Sequence, residues 1–235
     1  MKSTVEEIRA RFDADVERFS SLQTGQCAAM DSLLVLDTLA ATAAACVPDA
    51  RRLLDVGCGA GNFSLKLRER LPTLHVTLLD LSRPMLDRAV QRVGGGCAAI
   101  QADIREADLG EEAFDLVVAA AVLHHLRGED EWRAVYAKLF RALAPGGSLW
   151  VFDLVDHGIP AVAAVMRQRY GDYLAAMHGP EGRDRVFAYS DKEDSPRPVP
   201  WQLDRMREAG FAEVEVLHKN GPFAAFGGVK AGRTG

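Results

Sequence analysis

The residues with chemistry in them begin at Leu54-Asp55-Val56-Gly57-Cys58-Gly59-Ala60-Gly61-Asn62. An apolar run that ends in alternating glycines and passes into a helical pattern is a strand–turn–helix junction. The glycines let the backbone turn sharply and let a ligand approach it closely. The helix behind them offers unpaired N–H groups to that ligand. A dinucleotide fingerprint needs glycine where Asn62 stands, so the pattern here is GxGxG, not GxGxxG. Asp80 follows Gly61 by nineteen residues and ends the next apolar run, a place where a carboxylate accepts from ribose hydroxyls. Asp103 ends the run after that. Single acidic loop residues are commonly turn formers or helix caps. Three in register at successive strand ends point instead to one binding edge.

Val122-Leu123-His124-His125-Leu126 follows a further apolar run. His124 is a candidate general base, against the alternative of a packed loop histidine donating to a backbone carbonyl. Farther on, Tyr170, Tyr173, Phe187, Tyr189 and Trp201 lie near Arg183, Arg185, Lys192 and Arg197. Tyr170 and Tyr173 have helical spacing and read as core. Tyr189 and Trp201 fall in a stretch read as irregular and are candidates for a substrate pocket, Tyr189 also as a catalytic residue. Cys27, Cys46, Cys58 and Cys97 show no CxxC spacing and no neighbouring His cluster, which argues against a zinc site or a disulfide framework.

The elements that must position these residues follow from periodicity. Val5, Ile8, Phe12, Val16 and Phe19 form a helical stripe, interrupted near Ser20-Ser21 and Gly25. A second helix is expected from about Met30 to Cys46. Strands at 52–56, 75–79, 98–102, 114–120 and 148–153 alternate with helices at 62–71, 83–93 and 131–143. Pro145-Gly146-Gly147 reads as a turn into the fifth strand. Such alternation predicts a parallel sheet covered on both faces. Between Asp156 and Pro200 the pattern lapses. There Val162, Val165, Met166, Tyr170, Leu174 and Met177 form an apolar stripe expected to be buried in a cap, with Tyr189 and Trp201 at its inner edge. A helix from Gln202 to Ala209 and two strands joined at Asn220-Gly221 complete the chain.

Composition narrows the function. The chain of 235 residues is 48% apolar and 26% charged, with 28 Lys+Arg against 33 Asp+Glu and a net charge of −5. That suits a single globular domain and argues against general attraction to nucleic acid or anionic membrane. The first residues lack the apolar core of a signal peptide, and no uncharged apolar run reaches membrane-spanning length. A cytoplasmic location, with monomer or homodimer as the assembly, is the expectation.

Five segments, in order and at ordinary spacing over residues 50–155, resemble the class I S-adenosylmethionine-dependent methyltransferases. They are Asp55 to Gly61, Leu79-Asp80-Leu81-Ser82 with Met85-Leu86, Ala102-Asp103-Ile104, Phe114 to Val117, and Leu143 with Pro145-Gly146-Gly147. The resemblance implies a Rossmann-like doubly wound α/β sheet of seven strands, the last antiparallel. It implies an N-terminal helical cap (1–48), an S-adenosylmethionine-binding core (49–155), a helical insertion or lid after the fifth strand (156–200), and a C-terminal helix with a hairpin (201–235). Gly57, Cys58 and Gly59 would line the methionine end of the cofactor, and Asp55 would orient its ammonium group. Asp80, next to Leu81, would bind both ribose hydroxyls. Met85 and Ile104 would pack near the adenine, whose amino group Asp103 would accept from. Ala120 would contribute backbone only. Arg11-Phe12-Asp13, Arg18-Phe19 and the Gln26 region resemble the cap of small-molecule methyltransferases.

The expected activity is in-line methyl transfer from the sulfonium to a small-molecule acceptor. Three rivals stand beside it. The chain is also similar in outline to carboxy-S-adenosylmethionine synthase, which converts the cofactor itself; Arg205 would then hold a carboxylate. A non-catalytic cofactor-binding subunit is a second, which the intact Gly57, Gly59 and Asp80 set weighs against. A nicotinamide-dependent reductase is a third, disfavoured by Asn62.

Overall fold

The computed structural model describes residues 2–21 and 29–233, so the region of Gly25, Gln26 and Cys27 lies outside the described residues. The N-terminal stripe forms α1 (Val5–Ala14) and α2 (Val16–Ser20), broken at Asp15. Thr4 starts α1 as a capping box: its hydroxyl accepts from the Glu7 N–H, and the Glu7 carboxylate accepts from the Thr4 N–H. The long apolar helix α3 spans Ser32–Cys46.

Strand and helix then alternate: β1 (Arg52–Val56), α4 (Asn62–Arg70), β2 (His75–Asp80), α5 (Arg83–Val93), β3 (Cys97–Gln101), β4 (Phe114–Ala120), a 3₁₀ turn (Leu123–His125), α6 (Glu129–Ala142) and β5 (Leu143–Leu154). After them come α7 (Pro160–Glu193), α8 (Val199–Ala209), β6 (Glu213–Asn220) and β7 (Phe223–Val229). The seven strands form one sheet in the order β3-β2-β1-β4-β5-β7-β6. The first five are parallel, and β7 runs antiparallel between β5 and β6. The fold is therefore the seven-stranded Rossmann-like sheet implied by the resemblance.

Burial explains the continuous apolar runs of the central strands. One face packs Leu53, Leu78 and Leu116 under α3, α4 and α5; the other packs Leu54, Val117 and Leu149 under α6 and α8. With both faces covered, a strand has no polar side to show. Strand order reverses between β1 and β4, which opens a crevice at their carboxyl ends. Among the described residues no helix is long and apolar enough to cross a membrane.

Three sequence expectations need correction. Pro145-Gly146-Gly147 is not a turn ahead of the fifth strand but a bulge inside it. Phe114 already pairs with Leu143, the register shifts, and Gly146, at φ +80°, donates its N–H to the Lys230 carbonyl. The stretch 183–193 is helical, because Arg, Asp, Glu and Lys are compatible with a helix and the prolines come only after Glu193. The interruption of α7 is at Gly179 (φ +73°), followed by Pro180. Finally, the apolar stripe is only half covered. Tyr170 and Leu174 are buried, but Val165 is 57% exposed and Met177 48%.

Candidate functional site

The carboxyl ends of β1, β2 and β4 open into one cavity. Its first half is lined by Asp55, Gly57, Cys58, Gly59, Asp80, Leu81, Met85, Asp103, Ile104 and Ala120. The loop after β1 is shaped by left-handed glycines. A Cβ on Gly57 (φ +63°) would fall 2.6 Å from Val122, whereas one on Gly59 (φ +50°) would meet nothing within 4 Å. Gly57 is thus required by packing, and Gly59 keeps the loop low on its open side. Gly57→Ala is expected to destabilise the fold by about 3 kcal/mol, summing a left-handed alanine and an overpacked contact. Denaturant unfolding measures this; a midpoint equal to the parent's would refute the packing role.

Asp80 is nearly buried and organises two loops. One carboxylate oxygen accepts from the Gly59 N–H and the other from the Ser82 N–H, each at 2.8 Å. Burial raises its pKa, and these N–H donors oppose the rise. Ser82 in turn caps α5 by accepting from the Met85 N–H at 3.3 Å, which sets Met85 against the cavity. Asp55 is fully buried, with the Ser64 hydroxyl donating to it at 2.5 Å. Burial pushes its carboxyl up to about 7, although the Ser64 bonds work against that. At Asp103 burial also favours the neutral form, but the Arg105 guanidinium outweighs it and holds the carboxyl below its usual range.

The second half of the cavity is walled by α1 and α2 (Val5, Ile8, Arg11, Phe12, Phe19) and by α7 (Tyr170, Val186, Tyr189). These walls are tied together. Arg11 pairs with Glu193 at 2.6 Å, Arg127 donates to the Ser3 carbonyl and the Ser195 hydroxyl at 3.1 Å each, and the Ser195 N–H reaches the His124 carbonyl at 2.7 Å. His124 is presented by the 3₁₀ turn. Ala121 starts that turn in the left-handed region at φ +52°, a conformation costing about 1–2 kcal/mol for alanine. Its N–H is held at 2.8 Å by the Phe152 carbonyl of β5.

The histidine does not donate to a backbone carbonyl. Its Nδ1 forms a short hydrogen bond with the buried carboxylate of Asp153, at the end of β5. The other Asp153 oxygen accepts from the Leu123 and His124 N–H groups, at 2.8 and 3.2 Å. Nε2 of His124 lies 3.6 Å from Asp194, just past α7. Burial disfavours the imidazolium, but Asp153 and Asp194 outweigh it and raise the pKa to about 9. His124 and its neighbour His125 hold Asp194 down at about 2 against its own burial.

Two substrate candidates lie elsewhere. Trp201 and Arg205 are absent from the cavity wall. Trp201 packs edge-on against Trp132 of α6 at 6.0 Å, and Arg205 lies over the Trp201 ring and pairs with Glu208. Because α8 begins at Val199, before the expected Gln202, Trp201 falls in its first turn and faces α6. Asp153 and Asp194 were not singled out as site residues. Asp153 could have been found, since it ends a strand in the same manner as Asp80. Asp194 has no comparable local signal.

Comparison with known proteins supports the same reading of the core. Residues 53–147 match the family model described as a methyltransferase domain. An uncharacterized methyltransferase of Mycobacterium tuberculosis is 38% identical over 104 residues, 44% of this chain and 50% of that protein. The chain thus spans about half the length of that curated relative. Carboxy-S-adenosyl-L-methionine synthase of Chromohalobacter salexigens is 32% identical over 187 residues, covering 73% of this chain and 65% of that one. Human N-acetylserotonin methyltransferase, solved with S-adenosylmethionine, shares the fold at 17% identity. Its TM-score is 0.66, over 97% of this chain and 59% of that one. With the glycine loop, the strand-end carboxylates and the sheet order all in place, residues 53–147 form a methyltransferase domain of the class I S-adenosylmethionine-dependent kind.

Proposed function

We propose that this chain transfers the methyl group of S-adenosylmethionine to a small, largely apolar acceptor that loses a proton in the reaction. The observation that carries this reading is the shared cavity. A glycine loop with Asp55, Asp80 and Asp103 occupies one half, and an aromatic wall with the His124–Asp153 pair occupies the other. The residues fit the cofactor. Gly59 leaves open space above the loop, Asp80 offers lone pairs beyond its two backbone bonds, and Asp55 is a buried carboxylate suited to an ammonium partner.

When bound, the cofactor supplies a sulfonium-activated methyl group. The protein's task is then chiefly to align and desolvate the reactants. Asp80 holds the ribose and Asp103 the adenine edge, with Met85 and Ile104 against the ring. Phe12, Phe19, Tyr170 and Tyr189 enclose the acceptor and exclude water. Asp153 fixes the His124 ring through Nδ1. With the ring's pKa near 9, only its deprotonated form, whose share grows as the pH rises toward 9, has an Nε2 lone pair to take the proton that the acceptor gives up as the methyl group is transferred. The net change is one broken S–C bond, one new bond from acceptor to carbon, and one proton moved to His124.

Transfer of labelled methyl from S-adenosylmethionine into the small-molecule fraction of a cell extract tests this. Label appearing only in macromolecules overturns the acceptor class. A modified cofactor with no transfer favours the carboxy-S-adenosylmethionine synthase reading, which the position of Arg205 outside the cavity weighs against.

A pH dependence of cofactor binding follows from Asp55. With its carboxyl near 7, the free protein carries a proton there below neutrality. An ammonium partner favours the ionised form, so binding expels that proton. Affinity should rise with pH up to about 7 and level off above it, falling up to tenfold per unit on the acid side. Calorimetry at pH 6 in two buffers of different ionisation enthalpy reads the released proton. Equal heats in both buffers would rule out Asp55 as the ammonium partner.

A further inference from the structure

His124, His125 and Asp194 meet at the acceptor end of the cavity, and one ligand-type atom from each lies within 4.8 Å of the other two. We infer that these side chains form a binding site for a divalent transition cation of the zinc type, and that occupancy of the site blocks methyl transfer. The spacing suits such an ion. Asp194 Oδ1 lies 3.3 Å from His125 Nδ1 and 3.6 Å from His124 Nε2. Two ligands each ~2.05 Å from a tetrahedral zinc stand ~3.3 Å apart. The remaining pair of ligands, the two histidines, draws in on binding.

The supporting groups are already in place. Asp153 holds His124 through Nδ1 and leaves Nε2 for the cation, as an outer carboxylate does in many metal sites. The Ser190 hydroxyl donates to Asp194 Oδ2 at 2.6 Å and leaves Oδ1 for the two rings. His125 supplies the second, independent observation. Both of its ring nitrogens are buried without a hydrogen-bonding partner, its contact with Asp194 falling outside hydrogen-bond geometry. Buried polar atoms left in this state are costly, and a metal bond would satisfy one of them. Asp153 and Asp194 also supply two carboxylates at the ring nitrogens, whose charge a dication would balance in place of the proton on His124. A set of two nitrogens and one oxygen selects zinc, cobalt or iron(II) over magnesium or calcium.

The inhibitory consequence rests on the role given to His124 above; binding does not. A cation on Nε2 takes the lone pair that would receive the acceptor's proton. Cobalt(II) titration of the purified chain, without cofactor, is expected to give visible absorption bands saturating at one equivalent and displaced by zinc. His125→Ala should bind cobalt more than tenfold more weakly while keeping the parent's unfolding midpoint and cofactor affinity. No bands in the parent, or an unchanged titration in His125→Ala, overturns the site and leaves the methyltransferase reading untouched. Zinc should also abolish labelled methyl transfer by the parent and spare it in His125→Ala. Zinc that binds without slowing transfer overturns the inhibitory half of the inference and, with it, the role of His124.

Discussion

Replacing Asp80 by alanine is expected to weaken S-adenosylmethionine binding by about two orders of magnitude. Two hydrogen bonds from ribose hydroxyls to a nearly buried carboxylate contribute about 1.5 kcal/mol or more each. The structure adds a second cause. The same carboxylate accepts from the Gly59 and Ser82 N–H groups, so its loss also frees the glycine loop and the start of α5. Asp80→Asn tests the carboxylate at nearly constant shape. Its amide keeps one acceptor oxygen but turns an N–H toward one of the two backbone donors, so it should bind almost as poorly as the alanine variant. Calorimetry with both variants decides the matter. Affinity within threefold of the parent in each would remove Asp80 from the ribose site.

The second large effect is on rate. His124→Gln should lower methyl transfer by about 10²–10⁴-fold, the usual contribution of a positioned proton acceptor. Glutamine is the informative choice because its amide can still donate to Asp153, so no buried carboxylate loses its partner. Cofactor affinity should stay within about twofold of the parent, since His124 belongs to the acceptor half of the cavity. The measurement pairs single-turnover transfer with a binding isotherm. Transfer at the parental rate would show that the acceptor arrives already deprotonated or never carries the proton.

These two residues also mark what was legible in the sequence. Asp80 and the glycine loop could be read because their chemistry is local: a strand ends, the backbone must turn, and a carboxylate follows at fixed spacing. The same locality placed α5 at residues 83–93, where Ser82 caps and Pro84 fits the first turn. The partner of His124 could not be read from the histidine itself, because Asp153 is brought in by the pairing of β4 with β5. Side-chain direction was lost in the same way at Trp201. An aromatic residue near a predicted pocket turned out to face α6, because α8 starts in advance of the apolar pattern that announced it. The polar part of α7 carries no apolar stripe to announce it as a helix, and the interruption is at Gly179-Pro180.

The position of β7 has a consequence for the order in which the chain can be assembled. Parallel strands β1 to β5 are synthesised in sequence, and each can join a neighbour already made. The outer edge of β5, however, is closed by β7, the last of the described strands to be made, which pairs residues 148–154 with 223–229. Until then β5 presents an unpaired row of N–H and C=O groups flanked by apolar side chains such as Leu149, Val151 and Phe152. Such an edge is a template for wrong partners. A nascent chain halted before Phe223 should therefore be the aggregation-prone species, while the finished chain closes its own edge by setting the hairpin's second strand beside β5.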